Sequence, residues 1–407
     1  MKVIISESEL AQRVRTEGVE KTVRVLSEAL NKGELAPADF SLKALAANLV
    51  IGSDGKPVGP GWVNSLNVIS EAAAQAVNSD AFASISGQIF FNAVLEGYRQ
   101  AEPTIAPEFG VVNSTNLRGE RFAGISDVAL PLPVIPENQE YPPLQPSANY
   151  IQSPAQLKRG LRIEVSREAM MMDRTGELLD RCIQVGKAVA IDRELEATAC
   201  VADVVGLASS TTAGTGTART RYNWLGTSYA TYQAASPWIN LKGSNALKTA
   251  LNVNGANILL ASMLDPFTNM PISIPEGELV LLVTPENEYV ARQIASAMQL
   301  RTGPAGLTDT NPMMVAPGTP PVPFRVVVSK YLARFLTINS LPTSTWFLGS
   351  LKQAFKWIRA LDITVSEALP GSHHLWAHDT VQAYKAGRLE TAFVWEPRAI
   401  VKNTVSA

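Results

Sequence analysis

The sequence predicts an α+β protein, and three stretches carry that expectation. Between Lys158 and Ser166, apolar Leu161, Ile163 and Val165 alternate with Arg162 and Glu164, the period-two pattern of a half-buried strand. Next comes an unbroken helical pattern in which Leu178, Cys182, Val185 and Val189 recur at helical spacing, with no proline before Pro237. From Ser244 to about Thr343, strand and helix patterns alternate.

The helix is the most telling element. Asp173 and Thr175 are candidate N-caps, and Glu177 places a favourable negative charge near the first turn. A helix from Arg174 to Val205 would be roughly 48 Å long at ~1.5 Å per residue. That is more than twice the usual three to four turns. So long a rod needs a partner surface along its whole length, which an elongated subunit supplies and most compact enzymes do not. Gly186 within it would permit close approach of a neighbouring backbone.

Residues 1–35 are charge-dense and balanced, with Val19, Val23, Leu26 and Leu30 on one helical face. A glycine- and proline-rich break, Gly52–Gly61, precedes a second helical region from Val63 to about Gln100, whose candidate buried positions are Phe82, Ile85, Ile89 and Phe90. Residues 102–157 carry prolines at 103, 107, 131, 133, 136, 142, 143, 146 and 154. That many prolines exclude a helix and confine strands to sheet edges. By pattern these two segments lack a core of their own. Phe82, Phe90, Phe122, Ile125 and Tyr141 are therefore expected to find partners on adjacent subunits.

Further along, residues 206–242 are polar and poor in charge, and Gly214-Thr215-Gly216 lacks the lysine and spacing of a phosphate loop. Leu279–Val283 reads as a strand stopped by Thr284-Pro285-Glu286, followed by helical spacing at Val290, Ile294 and Met298. Arg301 to Pro323 reads as a mobile loop, and Phe324 to Val328 as a strand.

Composition narrows the function classes. The 407 residues are 46% hydrophobic and 18% charged, enough to bury a sizeable core and too apolar for overall disorder. A net charge of -2 and a pI near 6.1 argue against a dedicated nucleic-acid binder. Cys182 and Cys200 would lie ~27 Å apart along one helix, too far to pair, and read as small core residues. Met1-Lys2-Val3-Ile4-Ile5-Ser6 is too short an apolar run for a signal peptide, and no apolar run reaches membrane-spanning length, so a soluble product made in the cytoplasm is expected.

Candidate chemistry is sparse. His373, His374 and His378 lie together beside Asp379, a set that would suit a zinc-like ion in a metal-dependent hydrolase. Adjacent histidines seldom both face one ion, no His-Glu-x-x-His spacing occurs, and Pro370-Gly371-Ser372 marks the segment as a turn. No Gly-x-Ser-x-Gly elbow is present, and Gly52-Ser53-Asp54-Gly55-Lys56-Pro57 departs from the phosphate-loop spacing. Met170-Met171-Met172 reads as packing at the foot of the long helix. No catalytic residue, no cofactor-binding residue and no metal ligand is assigned.

Three stretches carry a family resemblance, one of them Leu264-Asp265-Pro266 to Glu286 with its Leu279–Val283 strand and Thr284-Pro285-Glu286 stop. The strand ending Ser166-Arg167-Glu168, the methionines after it and the long helix with Gly186-Lys187-Ala188 resemble the approach to the spine helix of tailed-phage major capsid proteins. The C-terminus agrees. Gly387–Phe393, then Trp395-Glu396-Pro397-Arg398-Ala399-Ile400-Val401-Lys402, is similar to the family's strand, proline turn and short strand finishing in a lysine. The resemblance, over roughly residues 40–403, is nearest the major head subunit of Mu-like phages and prophages.

The resemblance implies the Hong Kong 97-type fold. Residues 1–101 would form an N-terminal helical arm and 102–157 an extended hairpin, the E-loop. The peripheral domain would be 158–243 with its spine helix at about 174–205, and the axial domain 244–343. Residues 344–392 would return to the peripheral domain, and 393–407 would supply a last strand segment of the axial domain. It implies a shell of hexamers and pentamers enclosing double-stranded DNA without sequence-specific binding, with portal and scaffold or protease partners, decoration proteins, and no membrane. The protein would be a virion component assembled in the host cytoplasm. An encapsulin-like compartment is the alternative within the same fold. Some such capsids cross-link an E-loop lysine to a neighbour's asparagine, but no lysine stands between Lys56 and Lys158, so that chemistry is not expected here.

Overall fold

The computed structural model describes residues 7–32, 35, 45, 49, 79–123, 134–137, 139–140, 150–166, 175–207, 211–212, 214, 222–235, 237–265, 270–275, 277–296, 299–301, 308–310, 324–367 and 380–404. In chain order these residues form α1 (Glu7–Glu17), α2 (Val19–Lys32), α3 (Ser79–Gln100), β1 (Gly110–Asn113), β2 (Arg121–Ala123), β3 (Tyr150–Gln152) and β4 (Lys158–Ser166). The long helix α4 (Thr175–Ala202) follows, then β5 (Tyr222–Trp224), β6 (Thr227–Tyr229), β7 (Leu241–Lys242) and α5 (Ala250–Ala261). Next come β8 (Val280–Val283), α6 (Pro285–Ser296), β9 (Gln299–Arg301), β10 (Thr308–Thr310), β11 (Arg325–Val328) and α7 (Lys330–Ile338). The last elements are β12 (Trp346–Gly349), α8 (Leu351–Ala354), β13 (Phe355–Glu367), β14 (Thr380–Val394) and β15 (Ile400–Asn403).

The chain divides into two compact units, the first made of residues 1–102, 158–191 and 361–388. Its core joins Leu10 and Val14 of α1, Leu26 and Leu30 of α2, Ile85, Ile89, Phe90 and Val94 of α3, and Leu178, Leu179 and Cys182 of α4. Phe90 is fully buried and meets the Tyr384 ring edge-on at 4.8 Å. This corrects the expectation that the arm's apolar residues wait for an adjacent subunit: the partners lie in distant parts of the same chain. Of the other residues in that expectation, Phe122 packs on Phe393 and Trp395 of its own chain, and the side chains of Phe82, Ile125 and Tyr141 lie outside the described ones.

Close backbone approach explains how α3 and α4 pack. A Cβ on Gly186 would stand 2.0 Å from the Val94 carbonyl oxygen, and one on Gly97 would stand 2.0 Å from that of Ile183. The two helices thus cross on a pair of reciprocal glycines, the approach expected for Gly186. Leu178, Cys182 and Val189 are buried as their spacing predicts, whereas Val185 is only partly buried at the margin of the core. The helix ends at Ala202, three residues short of the expected Val205, because Asp203 takes a left-handed φ of 56°.

The second unit comprises residues 103–157, 192–360 and 389–407. Its centre is a five-stranded mixed sheet in the order β11-β8-β12-β15-β7. β8 runs parallel to β11 and antiparallel to β12, while β15 runs antiparallel to β12 and parallel to β7. Every residue of β8 (Val280–Val283) and β12 (Trp346–Gly349) is buried, as a continuous apolar run covered on both faces requires. α5 packs on β12 and β15, and α6 on β8 and β11.

The expected strands at Leu279–Val283 and Phe324–Val328 are present, each beginning one residue later. The helix after β8 is described to Ser296, and Met298 lies outside the described residues. The Arg301–Pro323 segment begins with a short antiparallel pair, since Arg301 of β9 faces Thr308 of β10. Most of that segment, and with it the expectation of mobility, lies outside the described residues. In the proline-rich segment, β2 is an edge strand of the sheet β2-β3-β5-β6 and β1 an edge strand beside β13, as missing N–H donors nearby dictate. The C-terminus forms the expected strand, Pro397–Ala399 turn and final strand carrying Lys402.

Candidate functional site

In its C-terminal half α4 reads Asp192-Arg193-Glu194-Leu195-Glu196, a spelling that suggests a solvated face. The fold places these groups in the interior of the second unit. Glu194, 1% exposed, accepts hydrogen bonds from the backbone N–H groups of Ile105 (2.9 Å) and Ala106 (2.8 Å) and from the Thr104 hydroxyl (2.8 Å). Those N–H groups open the short turn at Ala106–Glu108, so the carboxylate caps a helical turn from a distant helix.

One residue back, Arg193 reaches Glu390 at 2.9 Å, while Arg359 reaches the other carboxylate oxygen at 3.1 Å. Glu390 is fully buried, and the Arg193 guanidinium also lies over the Trp357 ring, 4.8 Å from its centroid. Two cations on one carboxylate offset a desolvation cost that a single charge in this position would leave uncompensated. Glu196 adds a bond from the Ala392 N–H at 3.2 Å. Three charges of α4, Arg193, Glu194 and Glu196, therefore clasp the Thr104 segment, β13 and β14.

A second buried pair lies in the C-terminal turn. Arg398 donates to both oxygens of Glu396 at 2.9 and 3.1 Å, and its guanidinium stands 5.5 Å from the Trp224 ring centroid and 5.3 Å from that of Trp238. Burial pushes the Glu396 carboxyl above its ordinary range, while Arg398 pulls it back down. Lys402 donates to the Ala202 carbonyl oxygen at 3.1 Å, closing the final strand onto the end of α4. Burial lowers its ammonium pKa, and Asp203 opposes that shift.

Nothing in this arrangement pairs a nucleophile with a base. The buried charges answer one another or backbone groups, which makes them positioning devices for elements distant in sequence. Among the described residues, no group of three or more His, Cys, Asp and Glu is placed to hold a metal ion. His373, His374, His378 and Asp379 lie outside the described residues, as do Met170, Met171 and Met172. Lys158 opens β4. Among the described residues, no helix is long and apolar enough to cross a membrane. Sequence reading assigned no role to Glu194, Arg193, Glu390 or Arg398. The available signal was a long helix whose end carries charges among small residues.

The profile described as "Phage capsid protein" matches residues 151–403, from β3 through β15, and the chain belongs to that family. Its fold is the Hong Kong 97-type α+β capsid fold, and its function is that of a major capsid protein. A search of curated proteins gave no match. Solved structures similar to this chain include a virus-like particle from Pyrococcus furiosus, at 9% identity, with 77% of this chain and 97% of that one covered and a TM-score of 0.38. The capsid of Cyanophage P-SCSP1u is similar at 14% identity, with 74% and 88% covered and a TM-score of 0.40. Mycobacterium phage Ogopogo is similar at 12% identity, with 75% and 92% covered and a TM-score of 0.41.

Proposed function

We propose that the chain is the major head subunit of a tailed phage or prophage, nearest the Mu-like group, and that copies of it tile an icosahedral shell as hexamers and pentamers around double-stranded DNA. The observation that carries this reading is the family match over residues 151–403, which takes in the whole span from the hairpin base to the last strand. In this reading residues 1–101 are the arm, 102–157 the E-loop, 158–243 and 344–392 the peripheral domain with its spine helix, and 244–343 and 393–407 the axial domain. The work is interfacial and needs no catalytic group, so the subunit is not an enzyme. The protein resides in the virion after assembly in the host cytoplasm, with portal and scaffold or protease partners during assembly and decoration proteins afterwards. The formal charge of -2 suits a shell that encloses nucleic acid without gripping it.

The test is to express the chain with its assembly partners, isolate the particles and treat them with nuclease. Protected double-stranded DNA of uniform length supports the phage head. Shells that enclose protein cargo and no DNA support the encapsulin-like compartment instead. A monomer that binds zinc through His373, His374 and His378 would revive the hydrolase reading and sink this one.

A further inference from the structure

One backbone position in the second unit is at odds with its side chain. β5 and β6 are joined by a two-residue turn, since Trp224 faces Thr227, and Leu225 and Gly226 take φ values of 53° and 80°. Two positive φ values in such a turn suit Asn-Gly, Asp-Gly or Gly-Gly, whereas the Cβ of a leucine crowds the carbonyl oxygen that follows it. The side chain returns nothing within its own chain. Tyr222, Trp224 and Tyr229 of the same hairpin join the apolar core, while Leu225 is 44% exposed and joins neither core. The Leu225 N–H donates to the Tyr150 carbonyl oxygen at 3.1 Å, and the exposed Arg121 guanidinium lies 4.6 Å from the Tyr150 ring centroid. Arg121 has no ion-pair partner among the described residues. Its neighbour Glu120 is engaged by the Ser114 hydroxyl, and Arg398, beside Trp224, is buried against Glu396. A strained turn thus holds out an apolar side chain near an outward-facing cation.

We infer that this hairpin tip is a contact between copies of the chain and receives the turn at residues 134–140 of an adjacent copy; this rests on the shell reading above. Charge selects the occupant. Between Arg121 and Lys158 the chain has no lysine or arginine, and its charges there are Asp127, Glu137 and Glu140. The turn is held by the Gln139 N–H donating to the Pro136 carbonyl oxygen at 3.2 Å. It carries Val134, at 93% the most exposed large apolar side chain among the described residues, together with exposed Glu137 and Glu140. Neither carboxylate has an ion-pair partner among those residues. The next most exposed, Tyr289 and Leu251, have the cations Arg292 and Lys248 close by in sequence and would set like charge against Arg121. In the contact Val134 covers Leu225 and the Tyr150 ring, and a carboxylate of the turn answers Arg121. Two different patches meet, so the contact runs head to tail and closes rings of subunits without a two-fold axis. Leucine stands at 225 in place of asparagine because of what it covers outside its own chain.

The experiment uses the full chain with its assembly partners, under conditions in which wild type forms shells. Arg121→Glu, and separately Glu137→Arg with Glu140→Arg, set like charges against each other, and each should lower particle yield about tenfold or more. All three substitutions in one chain should restore a near wild-type yield, because every copy then carries both reversed faces. Leu225→Asn should relieve the turn and raise the melting temperature of the dissociated subunit, yet lower particle yield several-fold. These positions are exposed, so the variants should fold, checked by circular dichroism and melting temperature. Wild-type yield from either charge reversal overturns the contact. Folded reversals that fail alone and still fail when combined overturn the choice of the 134–140 turn as occupant. A Leu225→Asn subunit that is destabilised, or stabilised with wild-type yield, overturns the role of the leucine. Wild type that stays monomeric in all conditions overturns the shell reading and this contact together, which separates the two failures.

Discussion

Gly186 of α4 lies against Val94 of α3 so closely that a methyl group at 186 would stand 2.0 Å from the Val94 carbonyl oxygen. Backbone cannot swing aside as a long side chain can, so the two helices must separate to admit it. Gly186→Ala gains ~1 kcal/mol of helix propensity but incurs overpacking of ~1–3 kcal/mol or more. The expected net loss is up to about 2 kcal/mol, measured as a lower denaturation midpoint of the dissociated subunit. Gly97→Ala should act alike, and the double variant should fall short of the sum because one separation of the helices serves both. Gly176, with nothing near its missing Cβ, is the control: Gly176→Ala should be neutral or stabilising.

Glu194 holds the start of the second unit to α4. Glu194→Ala would leave the Ile105 and Ala106 N–H groups buried without an acceptor. Unmade buried hydrogen bonds cost ~1–3 kcal/mol each, so this variant should be among the most destabilising in the chain. Glu194→Gln keeps one acceptor oxygen and should lose roughly half as much. Hydrogen exchange of the Ile105 and Ala106 amides reads the effect locally: both should exchange slowly in wild type and fast in Glu194→Ala.

Alkaline pH should unfold the subunit from within. Burial pushes the Cys182 thiol from 9.0 to about 12, and burial also raises Cys200, Tyr222 and Tyr232. Each of these groups has a folded pKa above its unfolded one. Their stabilising contribution is therefore complete below the unfolded value and is lost as pH rises through the folded value. For Cys182 the window runs from pH 9 to about 12. Denaturation midpoints taken across that window should fall steadily in wild type and less steeply in Cys182→Ala. A flat profile would mean that the thiol is not buried as described.

How far the sequence disclosed the fold depended on the range of the interactions involved. The long helix α4, β8, β11 and the C-terminal strand-turn-strand were legible because each rests on local periodicity and turn chemistry. The arm's core was not. Phe90 is buried by Tyr384, almost three hundred residues away, and no local pattern reports a partner at that distance. Glu194, Arg193 and Glu390 were missed for a related reason: charges on a helix read as a wet face unless their counter-charges are known. Val185 was over-read, since helical spacing places it near the buried stripe but the rotation of α4 leaves it at the edge. The histidine cluster was legible as a motif, and it falls outside the described residues.

The most direct test of the central claim is electron microscopy of the purified full-length chain, alone and with its assembly partners. A major head subunit should yield closed shells of uniform diameter whose capsomers show both fivefold and sixfold arrangements. A protein that remains a discrete monomer or a small closed oligomer, well folded and at high concentration, would contradict the account.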